Sequence, residues 1–224
     1  MIVTIDGPAG AGKSSIAKTV AERLGFEFLD TGSLYRAMTL AAIRAQVDFE
    51  NSKEIVEFSS GVEICWNGTQ VLLNGEDVSE QIRTPTVTDA IRFIADLPEI
   101  RARLSEIQRQ VAIGRNVVTE GRDQGSEVFT DAECKIFLTA SPEERARRRH
   151  QQLADMGRPL PLEEILRAQD QRDEEDRQRP IGSLRPADDA IIIDSDGMSS
   201  EQVLELILKT VQDRHGDKQI ESKS

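Results

Sequence analysis

The chain has 224 residues, with 40 Asp and Glu against 28 Lys and Arg, a formal net charge of −12 and only two cysteines. That length suits one large domain, or a core with an insert, and the negative field opposes phosphate backbones; a general nucleic-acid or anionic-membrane binder is excluded, and any polyanion site must be local. Cys65 and Cys134 are too few and too scattered for a disulfide framework or a zinc site, no apolar run approaches membrane-spanning length, and Met1 directly precedes an apolar strand; the expected compartment is the cytoplasm.

The first element is the apolar run Ile2-Val3-Thr4-Ile5, read as a strand. It is followed by Gly7-Pro8-Ala9-Gly10-Ala11-Gly12-Lys13-Ser14, which fits the pattern G-x-x-x-x-G-K-[ST], and then by an amphipathic helix. Glycines let the backbone bend into a nest of inward-facing N–H groups with no Cβ in the way of phosphate oxygens. Lys13 supplies a mobile positive charge for the outer phosphates, Ser14 or Ser15 offers a hydroxyl to Mg²⁺, and the helix N-terminus adds its partial positive charge. A glycine-rich turn capping an ordinary helix is the plain alternative; the strand before and the helix after speak against it.

Helix and strand signals then alternate. Ile16, Val20 and Leu24, with Ala17 and Ala21, form one helical stripe that Gly25 ends. Phe26 to Leu29 reads as a short strand, with Asp30-Thr31-Gly32-Ser33 at its C-terminal end and a helix carrying Tyr35, Arg36 and Met38 after it. That end of a strand is where open α/β sheets place ligands. Residues 62–78 break the rhythm, because Asn67-Gly68 and Asn74-Gly75 sit between β-rich runs and predict about three short antiparallel strands. Trp66 alternates with Val62 and Ile64, which assigns it to the core of this insert rather than to base stacking.

Pro98 opens a helix with the stripe Ile100, Leu104, Ile107 and Val111, flanked by Arg101 and Arg103. Asn116 to Glu120 is the next strand, ending at Gly121-Arg122-Asp123, and Cys134 to Leu138 is another. Ser141-Pro142-Glu143-Glu144 carries the N-cap, N1 proline and acidic N3 of a capping box, and the helix it starts should project Arg145, Arg147, Arg148 and Arg149. Ala190 to Asp194 reads as a last buried strand. From Ser200 a helix carries Val203, Ile207 and Val211 on one face, and from about Arg214 the tail is polar and expected to be disordered.

Arginines are unevenly distributed. Arg122 follows a core strand, Arg145 to Arg149 precede the flexible stretch Met156-Gly157-Arg158-Pro159, and Arg172, Asp176 and Arg179 are spaced i, i+4, i+7 so that on a helix they share a face. Arginine's fork matches phosphate oxygens, and an enzyme that moves a phosphoryl group between two nucleotides must hold several mutually repelling phosphates. The competing reading is solvated helix pairing, with Glu143 reaching Arg147, Glu144 reaching Arg148 and Asp173 reaching Arg177. Pro180 disfavours helical geometry at Arg179, which could take that residue off the shared face.

Read together, several segments closely resemble the ordered motifs of bacterial cytidylate kinases. They are residues 7–15; Leu29 to Arg36; Leu73-Asn74-Gly75-Glu76-Asp77-Val78-Ser79 with Ile82-Arg83-Thr84; Glu120 to Asp123; Lys135 to Ser141; and Arg172-Asp173 with Asp176. The likeness runs from residue 1 to about 212. It implies an α/β fold: a P-loop kinase core with an open parallel sheet of about five strands flanked by helices, a small antiparallel β insert and a short lid. One domain would cover 1–213, with the insert at about 60–96 on the CMP side, the lid at about 150–161 and a tail at 214–224. The implied reaction is transfer of the γ-phosphoryl group of ATP to CMP and dCMP with Mg²⁺.

By the same resemblance, Gly7, Pro8, Ala9, Gly10, Ala11, Gly12, Lys13, Ser14 and Ser15 hold the donor phosphates, and Ser14 and Ser15 serve the metal directly or through water. Lys13, Arg122 and Arg179 form the catalytic set. Arg36, Arg122 and Arg179 face the acceptor phosphate, with Thr31 nearby; Arg101 and Asp123 read the cytosine; Arg172 and Asp176 contact the ribose. Arg148, Arg149 and Arg158 belong to the lid. The implied partners are ATP and CMP or dCMP alone, with neither nucleic acid nor membrane, and the expected state is a monomer.

The chain departs from the family pattern at a few positions. Arg92 stands where a serine that helps recognise the cytosine amino group is usual, and Glu127 replaces a valine, which puts a carboxylate near the anion site. Two alternatives remain open: a P-loop kinase of another small acceptor such as UMP, AMP or shikimate, and a nucleotide-binding module without turnover.

Overall fold

The computed structural model describes the backbone of residues 1–221 and the side chains of residues 1–214. In chain order the elements begin β1 (Ile2–Asp6), α1 (Lys13–Leu24), β2 (Glu27–Leu29), α2 (Thr31–Arg44), α3 (Ser52–Ser59), β3 (Ile64–Trp66), β4 (Val71–Leu73) and β5 (Glu76–Asp77). They continue with α4 (Pro85–Ala95), α5 (Pro98–Ala112), β6 (Val117–Gly121), β7 (Cys134–Thr139), α6 (Pro142–Asp155), α7 (Leu162–Gln178), β8 (Ile191–Asp194) and α8 (Ser200–Glu221). A 3-10 turn at Gln81–Arg83 precedes α4, and a π-helical turn at Gln124–Val128 follows β6. The chain divides into two compact units, one made of Met1–Phe28 with Arg115–Ser224 and the other of Leu29–Gly114.

The first unit is built on a five-stranded sheet in the order β2-β6-β1-β7-β8, and β1 pairs in parallel with both β6 and β7. Val3, Thr4 and Ile5 are fully buried, as expected for a central parallel strand covered on both faces. Burying Val3 and Ile5 contributes roughly 1.5–3 kcal/mol each. The α1 stripe packs as its spacing predicts: Ile16, Ala17, Val20 and Ala21 join the core, and Gly25 caps the helix at φ 68°, its N–H turned to the Ala21 and Glu22 carbonyls. Val203, Ile207 and Val211 bury one face of α8 in the same cluster. Ser141 Oγ accepts the Glu144 N–H at the start of α6, with Pro142 at N1, so the N-cap half of the expected box forms; the reciprocal half does not, because the Ser141 N–H goes to Asp196 Oδ1 and the Glu144 carboxylate to Arg148.

Two expectations change here. β8 lies at the edge of the sheet, so that only Ile193 is buried and Ile192 is 62% exposed; it is not a buried strand. The helix of α8 continues past Arg214 to Glu221, over part of the expected disordered tail, and residues 222–224 of that tail lie outside the described residues. Among the described residues no helix is long and apolar enough to cross a membrane.

The second unit holds an antiparallel sheet, β3-β4-β5, together with α2 to α5. At its second turn Asn74 and Gly75 take φ values of 49° and 84°, the left-handed pair that an Asn-Gly hairpin requires. Trp66 is only 7% exposed, within the core of the insert. Two helices in this unit carry no earlier expectation. Helix α3 starts where Asn51 Oδ1 accepts the Glu54 N–H, and α4 starts with Pro85 at its first turn.

Candidate active site

Strand β1 delivers the phosphate loop to the C-terminal edge of the sheet. Gly7 sits at φ 147°, and a Cβ there would fall 2.0 Å from the Leu138 carbonyl oxygen of β7, so the loop leaves the strand in contact with backbone and only glycine fits. Gly12, at φ 87°, is the left-handed N-cap of α1. The first-turn N–H groups of α1 are thereby turned toward the loop, a ready anion site.

Lys13 is buried at 5% exposure, and its Nζ donates to the Pro8 carbonyl across the loop at 2.8 Å. Burial, and after it the charge of Arg122, holds its pKa down to about 7 against the opposing charges of Glu120 and Asp6. Asp6, at the end of β1, accepts the backbone N–H of Gln124 on Oδ1 at 2.9 Å and that of Gly125 on Oδ2 at 2.7 Å. Burial pushes its carboxyl up to about 7 against these two hydrogen bonds. Asp6 is thus the post that fixes the π-helical turn following Arg122 and Asp123.

Ser14 Oγ donates to Glu120 Oε1 at 2.9 Å, joining the start of α1 to the end of β6. Ser14 and Ser15 are both exposed. Hydroxyl and carboxylate oxygens of this kind fit Mg²⁺, which prefers oxygen ligands and keeps several waters or phosphate oxygens. Among the described residues no group of three or more His, Cys, Asp or Glu gathers for a metal.

Ala9 does not contribute a free N–H to the nest, as the sequence pattern would have it. Its N–H goes to Asp173 Oδ1 at 3.0 Å, and its carbonyl accepts Arg145 Nη1 at 2.8 Å. Arg145 is not projected outward either: it is 3% exposed and paired with Asp173 Oδ2 at 2.6 Å. The expected Asp173–Arg177 pair is replaced accordingly, and Arg177 meets Glu174.

A second group of cations stands beside the loop. Arg122 Nε donates to Asp176 Oδ2 at 2.8 Å, and Arg179 Nη1 meets Asp176 Oδ1 at 2.5 Å. Asp176, expected to contact ribose, here uses both oxygens to aim two arginines. Arg179 leaves the helix at φ −60°, ψ 134°, as Pro180 predicts, yet it stays with Asp176. Arg172 is held below its ordinary pKa first by desolvation and then by the charge of Arg122. Asp123 is buried, and its carbonyl accepts the Glu127 and Val128 N–H groups. Glu127 points away from any free-anion role, because its Oε2 accepts the Gly182 N–H at 2.6 Å.

Of the span 150–161 expected to form a lid, residues 150–155 belong to α6, and residues 156–161 connect it to α7, which starts at Leu162. Arg148 is tied down by Glu144 and by Ser195 Oγ and O at 3.0 and 2.7 Å, which makes it a brace for the chain after β8 rather than a lid residue. Arg147 pairs with Glu144 rather than Glu143. Arg149 donates to Gln152, and Arg158 is exposed.

In the second unit Thr31 is buried at the first turn of α2, and Arg36 Nη1 donates to Thr88 Oγ1 at 2.8 Å. Arg101 is buried, donates to the Ala95 carbonyl at 3.1 Å and lies 5.6 Å from the centre of the Tyr35 ring. Arg92 is exposed, with its guanidinium 4.8 Å over its neighbour Phe93. The residues missed from sequence are Asp6, Glu120, Arg145 and Asp173 as members of the site. Their partners lie far along the chain, so no spacing marks them.

The cytidylate kinase family profile matches residues 3–213. A protein of Rhodopirellula baltica named cytidylate kinase is 57% identical over 213 residues, covering 95% of this chain and 93% of that protein. One from Caldanaerobacter subterraneus with the same name is 43% identical over 209 residues, covering 93% of each. Among solved structures, an uncharacterized protein from Eubacterium ventriosum superposes with a TM-score of 0.53 at 14% identity, covering 95% of this chain and 98% of that one, a likeness of fold alone. With a profile match over residues 3–213 and a relative 57% identical over 95% of the chain, the phosphate loop and the arginine group beside it belong to a member of the cytidylate kinase family.

Proposed function

We propose that the protein transfers the γ-phosphoryl group of ATP to CMP, and to dCMP, giving ADP with CDP or dCDP. The observation that carries this reading is the pairing of two cationic groups in one unit: Lys13 in the phosphate loop, and Arg122 with Arg179 aimed by Asp176 close enough for the Arg122 charge to act on Lys13. One group suits a donor's phosphates and the other an acceptor's. Phosphoryl transfer depends mainly on positioning and charge neutralisation, and these residues supply both without a covalent catalyst.

In this reading residues 7–15 hold ATP, and Lys13 leaves the Pro8 carbonyl for the outer phosphates. Arg36, Arg122 and Arg179 bind the acceptor phosphate with Thr31; Arg101 and Asp123 read cytosine; Arg172 contacts ribose, and Asp176 reaches ribose while orienting its arginines. Arg149 and Arg158 serve a lid whose hinge is the 156–161 connection, excluding water during transfer. Ser14 and Ser15, with Glu120 bonded to Ser14, would hold Mg²⁺, directly or through water, and the ion would supply neutralisation of phosphate charge. With a net charge of −12 the protein binds phosphates only at these local cations, and in this reading it acts as a monomer on free nucleotides in the cytoplasm.

A coupled assay with ATP and Mg²⁺ against CMP, dCMP, UMP and AMP tests the reading. Turnover with CMP and dCMP well above the others is expected. Preference for UMP or AMP, or no turnover with any of them, overturns it.

A further inference from the structure

Asp173 and Arg145 form a buried pair that holds both sides of one phosphate-loop residue. Asp173 Oδ1 accepts the Ala9 N–H at 3.0 Å, Arg145 Nη1 donates to the Ala9 carbonyl at 2.8 Å, and the two side chains meet at 2.6 Å. Arg145 Nε also donates to the Ala140 carbonyl at 3.2 Å, which anchors the guanidinium to the end of β7. The side chains are 3% and 1% exposed. The adjoining residue of the loop is enclosed by the same helices, since a Cβ on Gly10 would fall 2.4 Å from Gln169 Nε2 and 3.2 Å from Arg145 Cβ. Arg145 belongs to α6, and Asp173 and Gln169 belong to α7, the helices on either side of the 156–161 connection.

A pair this deeply buried is a poor device for stability, because desolvation offsets most of its attraction and apolar residues of similar size often serve as well. Its placement gives it another use. We infer that Arg145 and Asp173 are positioning residues that clamp the Ala9 peptide, making the shape of the phosphate loop and the placement of the helices flanking the 156–161 connection a single mechanical unit. The clamp turns the Ala9 N–H away from the nest, leaving the loop's remaining N–H groups and Lys13 to face the donor phosphates. It transmits a change at the loop to both helices through buried, hydrogen-bonded groups.

The inference rests on the kinase reading for its consequence but can be tested apart from it. The double variant Arg145→Met/Asp173→Leu replaces the pair with apolar side chains and is expected to fold, as thermal melting would show. In the unliganded protein its Ala9 amide should exchange with solvent at least about tenfold faster than in the wild type, the loss of one charge-assisted hydrogen bond. A non-hydrolysable ATP analogue should slow exchange across 156–164 in the wild type and leave that segment unchanged in the variant. The KM for ATP should rise about tenfold or more, by the same lost hydrogen bond, with the KM for CMP within about twofold. Arg145→Lys, which cannot span Ala140, Ala9 and Asp173 together, should not rescue these effects.

A folded double variant with wild-type exchange at Ala9, a wild-type response at 156–164 and an unchanged KM for ATP overturns the clamp. If the double variant does not fold, Asp173→Asn carries the same measurements, because its amide retains an oxygen for one partner only. Absence of CMP phosphorylation by the wild type would sink the kinase reading while leaving the two exchange measurements to decide the clamp.

Discussion

Glu127 accepts the Gly182 N–H at 2.6 Å, tying the π-helical turn after β6 to the loop that follows α7. That loop begins at Arg179, and the turn begins one residue after Asp123. A carboxylate that looks misplaced beside an anion site is therefore engaged with backbone, and it fixes the exit of the helix that bears Arg172, Asp176 and Arg179. Glu127→Val, which restores the residue usual in the family, should loosen Arg179 and raise the KM for CMP by about three- to tenfold, the range of one lost hydrogen bond, while the KM for ATP stays near wild type. Glu127→Gln keeps an acceptor oxygen and should recover most of the loss. Steady-state kinetics with each substrate varied in turn checks both.

Lys13→Ala removes the only side-chain cation that the phosphate loop carries. Loss of a preorganised group facing developing charge costs about 10² to 10³ in turnover in other enzymes, and a fall of at least ~10²-fold is expected here. Removing a buried ammonium also relieves its desolvation, so the variant should melt no lower than the wild type. A kcat for the folded variant close to that of the wild type would take Lys13 out of the chemistry.

Lys13 and Asp6 also set a pH signature, since burial brings both to about 7 from opposite directions. Asp6 has its folded pKa raised from 3.8, so between pH 4 and 7 the folded state binds more protons than the unfolded one, and Asp6's contribution to stability falls as pH rises through that window. Lys13 has its folded pKa lowered from 10.5, so between pH 7 and 10 the unfolded state binds more, and its desolvation cost is relieved as pH rises. ATP binding should reverse the Lys13 shift, because a phosphate beside the ammonium favours the charged form. Binding of a non-hydrolysable analogue at pH 8 should then take up about one proton, and binding at pH 6 close to none. Calorimetry in buffers of different ionisation enthalpy reads this directly. Uptake that persists in Asp6→Asn and vanishes in Lys13→Met assigns the proton to the lysine.

Much of the site could be read from local spacing, because its parts are locally encoded. The phosphate loop, the Gly25 stop, the Asn74-Gly75 hairpin, the Ser141 cap and the non-helical Arg179 each follow from residues within a few positions of one another. Helices α3 and α4 carry local signals too, in Asn51 with Glu54 and in Thr84-Pro85, but these stand next to the more conspicuous insert and its turns. The supporting carboxylates were not legible in the same way. Asp6 holds Gln124 and Gly125, Glu120 holds Ser14, and Asp173 holds Ala9, pairs separated by 106 to 164 residues that only the folded sheet brings together. Arg145 illustrates the difference: helical periodicity puts it among four arginines in five residues, and tertiary packing alone turns it inward while Arg147 and Arg149 stay exposed.

Asp176 provides the sharpest test of the acceptor side. Its two oxygens meet Arg122 and Arg179, and it is only 2% exposed, so Asp176→Asn leaves the geometry nearly isosteric while removing the charge that holds two arginines together. Removing one member of a buried charged group typically costs about 3–5 kcal/mol, and here the remaining cations also repel one another, so a clear drop in melting temperature is expected in the absence of nucleotide. An acceptor phosphate would replace the lost negative charge. CMP should therefore raise the melting temperature of Asp176→Asn by more than it raises that of the wild type, whereas cytidine, which lacks the phosphate, should not. In kinetics the variant should lose about tenfold or more in kcat, because Arg122 and Arg179 are no longer held in place for the transferring phosphate, with the KM for CMP not raised and ATP affinity largely kept. If CMP and cytidine stabilise the variant equally, Arg122 and Arg179 are not the residues that meet the acceptor phosphate.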